Sequence, residues 1–226
     1  VMLEIATFRE DVDVNDHRHP ASVRFGDVEE DASRRDFTIN ALYYDVKTQR
    51  VLDLTGGLED LKSKRLRAIG DPMERFREDA LRLLRAIRFS TELGFAIEPK
   101  TQEALIKRSR LIQKVSGERI RDELESMWGG LAPSAALEAL AQSQLLPWIL
   151  PEVEYLRALP GAWNYLLRLF KNIDALWRDA SATEGAQNRA FRKKALYWSA
   201  LLHDLGKPVL AKSKTVLTGH ESEGVK

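Results

Sequence analysis

Two stretches of this 226-residue sequence concentrate side chains able to handle a nucleotide. In RRDFTINAL, running from Arg34 to Leu42, two guanidiniums stand beside a carboxylate and an amide: Arg34, Arg35, Asp36 and Asn40. A guanidinium grips phosphate oxygens bidentately, and sugar hydroxyls are met by a donor and acceptor such as Asn or Asp offers. In REDALRLLRAIRF, from Arg77 to Phe89, the polar residues Asp79, Arg82, Arg85 and Arg88 recur at offsets of three around Leu81, Leu84 and Ile87. On one continuous helix that spacing gives a single polar face able to address one ligand. The plainer alternative is a solvated stripe whose Asp79–Arg82 salt bridge is worth only about 0.2–0.5 kcal/mol. For the first stretch it is a helix-capping cluster paired with Glu29 or Glu30.

Composition bounds the remaining chemistry. At 44% hydrophobic the chain is long enough to bury a core and could hold two modest domains. With no cysteine, disulfides, thiolate zinc sites and cysteine nucleophiles are excluded. No apolar run approaches a bilayer span, and the residues from Val1 to Glu4 lack the features of a signal peptide, so the expectation is a soluble, cytoplasmic protein without membrane contact. The net charge of +1 hides a basic tract from Lys62 to Arg121, which suits a phosphate backbone.

The elements that must position these residues follow from periodicity. Val1 to Arg9 alternates as a strand, with Glu4 a carboxylate on a largely apolar face. The segment after it, including Asp11 and Asp13, reads as loop. Leu42 to Val46 and Arg50 to Leu54 predict a hairpin, ended by Gly56 and Gly57. Everything later reads as helical. Pro72 opens a helix that carries the second polar stretch and stops at Gly94, and further helices are expected at 99–107, 117–127, 134–146, 162–179 and 189–203. Gly129, Gly130 and Pro133 are the strongest punctuation.

In order along the chain, EIATFR, DHRHP, EEDASRRDFTINALYYD, DLTGGLEDL, ERFREDALRLLRAIRF and SGERIRDEL resemble the motifs of bacterial class II CCA-adding enzymes, A-adding tRNA nucleotidyltransferases and bacterial poly(A) polymerases. The resemblance covers roughly the first three-fifths of the chain. It implies an α+β fold: residues 1–66 as the C-terminal part of a nucleotidyltransferase head, 67–130 as a helical neck with the nucleotide-reading helix, and 131–226 as a helical body. The implied reaction is attack of an RNA 3′ hydroxyl, normally that of tRNA, on the α-phosphate of ATP or CTP at two magnesium ions.

The resemblance also assigns residues. Arg34, Arg35, Asp36 and Asn40 match the motif that would hold ribose and phosphates, and Asp79 and Arg82 would imitate a Watson–Crick partner, which explains base choice without a template. Glu78 would orient Arg82 or its neighbour, while Arg85 and Arg88 would reach phosphates or the primer end. Asp16 and Arg18 match a flexible loop used in switching to A addition. Glu4 matches the third head carboxylate, a catalytic and metal-binding position; without the resemblance it reads as an edge-strand glutamate facing water. The family's Asp-x-Asp metal pair, preceded by a Gly-Ser loop, is not among these residues, so this chain alone is expected to be inactive. Asp11 and Asp13 have the spacing without the glycine-rich segment.

A second signature, LLHDLGKP from Leu201 to Pro208 with His220 beyond, resembles the HD phosphohydrolase motif, in which adjacent His and Asp hold a water-activating metal. His203, Asp204 and His220 could serve as ligands. The upstream histidine is missing, and a packed remnant is the simpler expectation. CCA or terminal-A addition is therefore the leading expectation, a poly(A) polymerase the alternative, and an HD-type phosphohydrolase a second alternative.

Overall fold

The computed structural model describes residues 8–14, 20–179 and 186–206. The chain divides into two compact units, 1–115 and 116–226, upstream of the Gly129–Gly130–Pro133 punctuation.

The first unit mixes short strands with helices. Strands β1 (Arg9–Val14) and β2 (Pro20–Phe25) pair antiparallel, with Arg9 opposite Phe25 and Val14 opposite Pro20. This corrects the expectation of a loop after residue 9. The run REDVDV carries too few apolar residues to advertise a strand, but backbone pairing in a two-stranded ribbon does not require a buried face. The expected strand lies outside the described residues except at its end, as do Glu4, Asp16 and Arg18. Helix α1 (Val28–Arg34) starts in a capping box: Asp27 accepts from the Glu30 N–H and the Glu30 carboxylate accepts from the Asp27 N–H. A 3-10 turn at Thr38–Asn40 leads into the predicted hairpin, β3 (Leu42–Asp45) and β4 (Arg50–Asp53).

Asp53 ends that hairpin by accepting from the N–H groups of Thr55, Gly56, Gly57 and Leu58, so its carboxylate starts α2 (Gly57–Lys62). Gly57 is obligatory in the backbone's close approach, because a Cβ there would sit 2.3 Å from the Thr38 carbonyl oxygen. Strand β5 (Arg65–Leu66) follows, then α3 (Pro72–Glu78), α4 (Leu81–Leu93), and β6 (Ala96–Ile97), which pairs parallel with β5. The all-helical expectation fails at β5 and β6, since a two-residue strand is too short to show a period. Pro72 and Gly94 act as predicted. Pro72 sits in the first turn of α3 behind an Asp71 cap, and Gly94 ends α4 with φ 65°. Helix α5 (Pro99–Arg108) and a 3-10 stretch at Ser109–Lys114 complete the unit. Its core gathers Phe37, Leu66, Phe76, Leu83, Leu84 and Ile87, all essentially inaccessible.

Asp60 is also fully buried, and it is ionically enclosed. Its carboxylate accepts from Thr38 Oγ1 at 2.7 Å, Arg65 Nε at 2.6 Å and Arg67 Nε at 2.7 Å. Burial alone would raise its pKa; the Thr38 hydroxyl and the two guanidiniums outweigh burial and hold it below the ordinary carboxylate value.

The second unit is helical among its described residues: α6 (Gly117–Gly129), α7 (Pro133–Gln142), α8 (Leu146–Ile149), α9 (Pro151–Arg157), α10 (Ala162–Asp179) and α11 (Ala186–Leu202). The helix expected to reach residue 146 stops at Gln142, and Gln144 turns the chain with φ 60°. An aromatic cluster centres this unit, with Trp128 and Phe170 ring centroids 5.5 Å apart and Phe170 and Tyr197 5.1 Å apart. Asp174 of α10 accepts from the Tyr197 hydroxyl and from the Ser134 N–H, so one carboxylate both anchors the aromatic cluster and caps α7. Burial and that carboxylate push the Tyr197 hydroxyl far above its ordinary pKa. Lys193 of α11 donates to the Gly130 carbonyl at 2.6 Å, closing the C-terminal end of α6. Among the described residues no helix is long and apolar enough to cross a membrane.

Because Asp60 has a depressed folded-state pKa, its stabilisation is complete above the unfolded value of about 3.9 and is lost as pH falls through the lower folded value. Asp60→Asn is expected to cost about 3 kcal/mol at pH 7, as when one partner of a buried ion pair is removed. The gap to the parent should narrow as the pH drops below about 4. Urea denaturation of both proteins between pH 7 and pH 3 checks this; a gap independent of pH would refute the assignment.

Candidate functional site

The two polar stretches meet in the first unit, and two arginines join them. Asp36 is the junction. It is 7% exposed, and its Oδ1 accepts from its neighbour's N–H on Phe37 and from Asn40 Nδ2, both at 2.9 Å. Its Oδ2 accepts from Arg85 of α4 through Nε and Nη2, each at 2.7 Å. Asn40 and Asp36, expected together, are thus hydrogen-bonded to each other. The amide orients the carboxylate that the helix then grips.

Arg82, one turn earlier on α4, closes the same junction. Its Nη2 donates to the Arg34 carbonyl at 2.8 Å, and its Nη1 donates to the Arg75 carbonyl at 3.0 Å and to Glu78 Oε2 at 2.8 Å. Glu78 and Arg82 are thus directly hydrogen-bonded. Among the described residues these bonds use three of the five guanidinium N–H donors, so the guanidinium plane is fixed while Nε–H and one Nη2–H remain.

Arg34 and Arg35 end α1, and both turn back onto Asp31. Arg35 reaches Asp31 Oδ2 through Nε at 3.0 Å and Nη2 at 2.9 Å, Arg34 pairs with Oδ1, and the Tyr43 hydroxyl donates to Oδ2 at 2.8 Å. Burial would raise the Asp31 pKa, but the Tyr43 hydroxyl and the two guanidiniums leave it lowered. The Arg35 guanidinium also lies 5.4 Å from the Tyr43 ring centroid, and its side chain is 42% exposed. Its Nη1 also donates to the Asn40 carbonyl at 3.3 Å, and the part of the side chain left open to solvent could meet an anion.

One expectation is corrected. The polar stretch is not a single helix face carrying four residues at offsets of three. Helix α3 ends at Glu78, Asp79 is extended with φ −140° and ψ 104°, and α4 begins at Leu81. Asp79 Oδ1 accepts from the Leu81 N–H at 3.0 Å, so the aspartate makes the local turn that breaks the helix. The sequence pattern could not distinguish this from a continuous helix, since Asp is tolerated in both and the apolar spacing runs through the break. Arg88, further along α4, pairs with Glu92 at 3.2 Å, and it and Arg85 both lie over the Phe89 ring, 4.2 and 5.1 Å from its centroid. Arg82 and Arg85 address segment 34–36.

Three participants were not anticipated. Asp31 and Tyr43 brace the first stretch; the spacing of Asp31 three and four residues before Arg34 and Arg35 on a short helix was the available signal. Arg75 braces the second, three residues before Glu78, with its Nη1 3.0 Å from Glu78 Oε2. In the second unit, His203 Nε2 lies 3.3 Å from Asp204 Oδ2, and its Nδ1 is 2.8 Å from the Ala200 carbonyl oxygen. His220 lies outside the described residues. Among the described residues no group of three or more His, Cys, Asp or Glu could hold a metal ion, and Asp31, Asp36 and Asp60 are each occupied by guanidiniums.

With this geometry in view, similarity to known proteins becomes specific. Residues 1–67 match the family described as poly A polymerase head domain, and residues 94–156 the one described as probable RNA and SrmB-binding site of polymerase A. The chain is 41% identical over 176 residues to the CCA-adding enzyme of Pediococcus pentosaceus, covering 77% of this chain and 44% of that protein. It is 45% identical over 143 residues to the CCA-adding enzyme of Bacillus subtilis, covering 63% and 36%. The chain thus spans less than half the length of these curated relatives. A crystal structure of the Bacillus stearothermophilus CCA-adding enzyme in complex with CTP superposes with a TM-score of 0.56 at 27% identity, over 97% of this chain and 62% of that one. An apo form of a tRNA-processing enzyme shares the fold at a TM-score of 0.63, 23% identity and coverage of 88% and 56%.

A double-mutant cycle on Asp36→Ala and Arg85→Ala is expected to give a coupling of about 0.5–3 kcal/mol in folding stability, since the two side chains are each other's partner across the junction. Additive losses in chemical denaturation would show that the two stretches are not joined through this pair.

Proposed function

We propose, from the premise that this chain belongs to the nucleotidyltransferase family of CCA-adding enzymes and poly(A) polymerases, that it is part of an enzyme adding CMP and AMP from CTP and ATP to tRNA 3′ ends without a nucleic-acid template. The observation that carries the reading is the junction at Asp36. It brings a segment with an open guanidinium, Arg35, against a helix start with an acceptor and a donor fork, Asp79 and Arg82. A nucleotide needs both kinds of contact at once, phosphates on one side and base edge on the other.

In this reading Arg35 meets the triphosphate of the incoming nucleotide, while Asp36 and Asn40 set the segment beside the ribose. Asp79 offers an acceptor and Arg82 its two remaining N–H donors to the base edge, a protein substitute for a pairing strand. Arg85 acts through Asp36, and Arg88 stands further along α4. Residues 1–66 form the later part of the head, 67–130 the neck and 131–226 the body. Glu4, Asp16 and Arg18 keep the roles the resemblance implies, as a head carboxylate and as part of a flexible loop.

The described residues do not supply a magnesium site. When bound, two such ions would stabilise the attacking and leaving oxygens of the phosphoryl transfer. What this chain's residues supply is the holding and choosing of the nucleotide. The match to a probable RNA-binding segment at 94–156 supports tRNA as partner, and a cytoplasmic location goes with that substrate. A poly(A) polymerase would share the same base-choosing geometry and differ in failing to stop.

Primer extension by the complete gene product, on tRNA ending at the discriminator base or in C, CC or CCA, tests the proposal. Products that stop at CCA are expected, and adenylate tails running past CCA would make the enzyme a poly(A) polymerase instead. Asp79→Ala should reduce discrimination between CTP and ATP by about tenfold or more, as for loss of a base-edge hydrogen bond. Its tRNA affinity, measured by filter binding, should stay near that of the parent. Parallel loss of discrimination and tRNA affinity would remove Asp79 from base reading.

A further inference from the structure

Glu78 has a second partner besides Arg82. Its Oε2 accepts from Arg82 Nη1 at 2.8 Å and lies 3.0 Å from Arg75 Nη1, so two guanidiniums share one carboxylate oxygen. Arg75 is unusually constrained for an arginine on a short helix. Its side chain is 15% exposed, its Nε donates to the Ile69 carbonyl at 3.2 Å, and its own carbonyl accepts from Arg82. The Ile69 N–H in turn donates to the Asp36 carbonyl at 3.1 Å. These bonds close a ring that runs from Asp36 through Ile69, Arg75, Glu78 and Arg82 to the Arg34 carbonyl, two residues before Asp36.

The cost of this arrangement indicates a purpose. Burial disfavours the Arg75 charge and the neighbouring Arg82 adds repulsion, against which Glu78 and Asp36 act. A solvated helix end would have no need of a buried second guanidinium on Glu78. Glu78 is 38% exposed even with both guanidiniums in place, so without Arg75 it would be held by Arg82 alone and its rotamers would be free on the solvent side. With Arg75 in place, Glu78 is fixed from behind and Arg82 takes up one orientation at the break between α3 and α4.

We infer that Arg75 is a positioning residue for base selection: by holding Glu78 and lending its carbonyl to Arg82, it fixes the plane in which Arg82 presents its remaining donors to the base. The inference rests on the proposed nucleotidyltransferase reading. Arg75 itself touches neither nucleotide nor RNA, and its removal acts on which nucleotide is accepted more than on how tightly RNA is held.

The test is single-nucleotide incorporation by the complete gene product on tRNA ending in CC, comparing kcat/KM for ATP and CTP in the parent, Arg75→Ala, Arg75→Lys and Glu78→Gln. Arg75→Ala is expected to narrow the ATP-to-CTP ratio by about tenfold, mainly through kcat/KM for the correct nucleotide, with KM for tRNA unchanged. Arg75→Lys should recover part of the ratio, because an ammonium can reach Glu78 but cannot also serve the Ile69 carbonyl. Adding Glu78→Gln to Arg75→Ala should cause little further loss, since the two act in one chain. Thermal denaturation of each variant separates this from unfolding. Equal loss for ATP and CTP, or an unchanged ratio in a folded Arg75→Ala protein, would overturn the role of Arg75. A parent that incorporates neither nucleotide would instead overturn the reading beneath it.

Discussion

Guanidinium pairing of buried carboxylates is the interaction on which the first unit depends. Asp31, Asp36 and Asp60 are each under 8% exposed, and each is met by arginine: Arg34 and Arg35, Arg85, and Arg65 with Arg67. A carboxylate taken out of water without such partners would cost several kcal/mol, so the arginines are a condition of the fold and not an ornament of its surface. The planar fork suits the task, because it fills two or three acceptors at once and anchors strands, helix ends and turns that share little apolar surface. In a unit built from strands of two to six residues, such directional bonds do what a broad hydrophobic interface does in larger sheets.

The same economy explains the candidate site. Arg82 and Arg85 lie on one helix, one turn apart, and each crosses to the segment at 34–36, one through a backbone carbonyl and the other through Asp36. The buried leucines of α4 fix the helix against the core, and the two arginines transfer that rigidity to the segment where α1 ends. Asp79 breaks the helix between Glu78 and Leu81, so Asp79 and Arg82 stand at a helix start instead of along a side. Whatever binds there meets groups already oriented, and the ordering cost has been met during folding.

The second unit uses a different balance. Its centre is aromatic, around Trp128, Phe170 and Tyr197, and its ionic groups serve helix ends: Asp174 caps α7 and Lys193 closes α6. This is a scaffold in which polar groups finish helices that apolar packing holds together. His203 and Asp204 stand at the end of α11 with a contact between them that a structural pair would also make.

Much of this could be read from the chain. The hairpin at 42–53, the starts and stops at Pro72, Gly94 and Pro99, the long helices of the second unit and the two polar stretches are all local, and local residues carry the signals for caps, periods and turns. Family membership was legible for the same reason, since motif order survives in sequence. Other features were decided only in three dimensions. The ribbon at 9–25, the two-residue strands β5 and β6, and the break at Asp79 depend on which backbone groups find partners, and a sequence period cannot count those. The partners of the arginines were hidden as well: Arg85 could have paired along its own helix, yet it pairs 49 residues away with Asp36. Residue type determined that guanidiniums and carboxylates would meet; burial and chain topology decided which ones, because an unpaired charge in the interior is too costly to leave and only the folded chain brings its partner within reach.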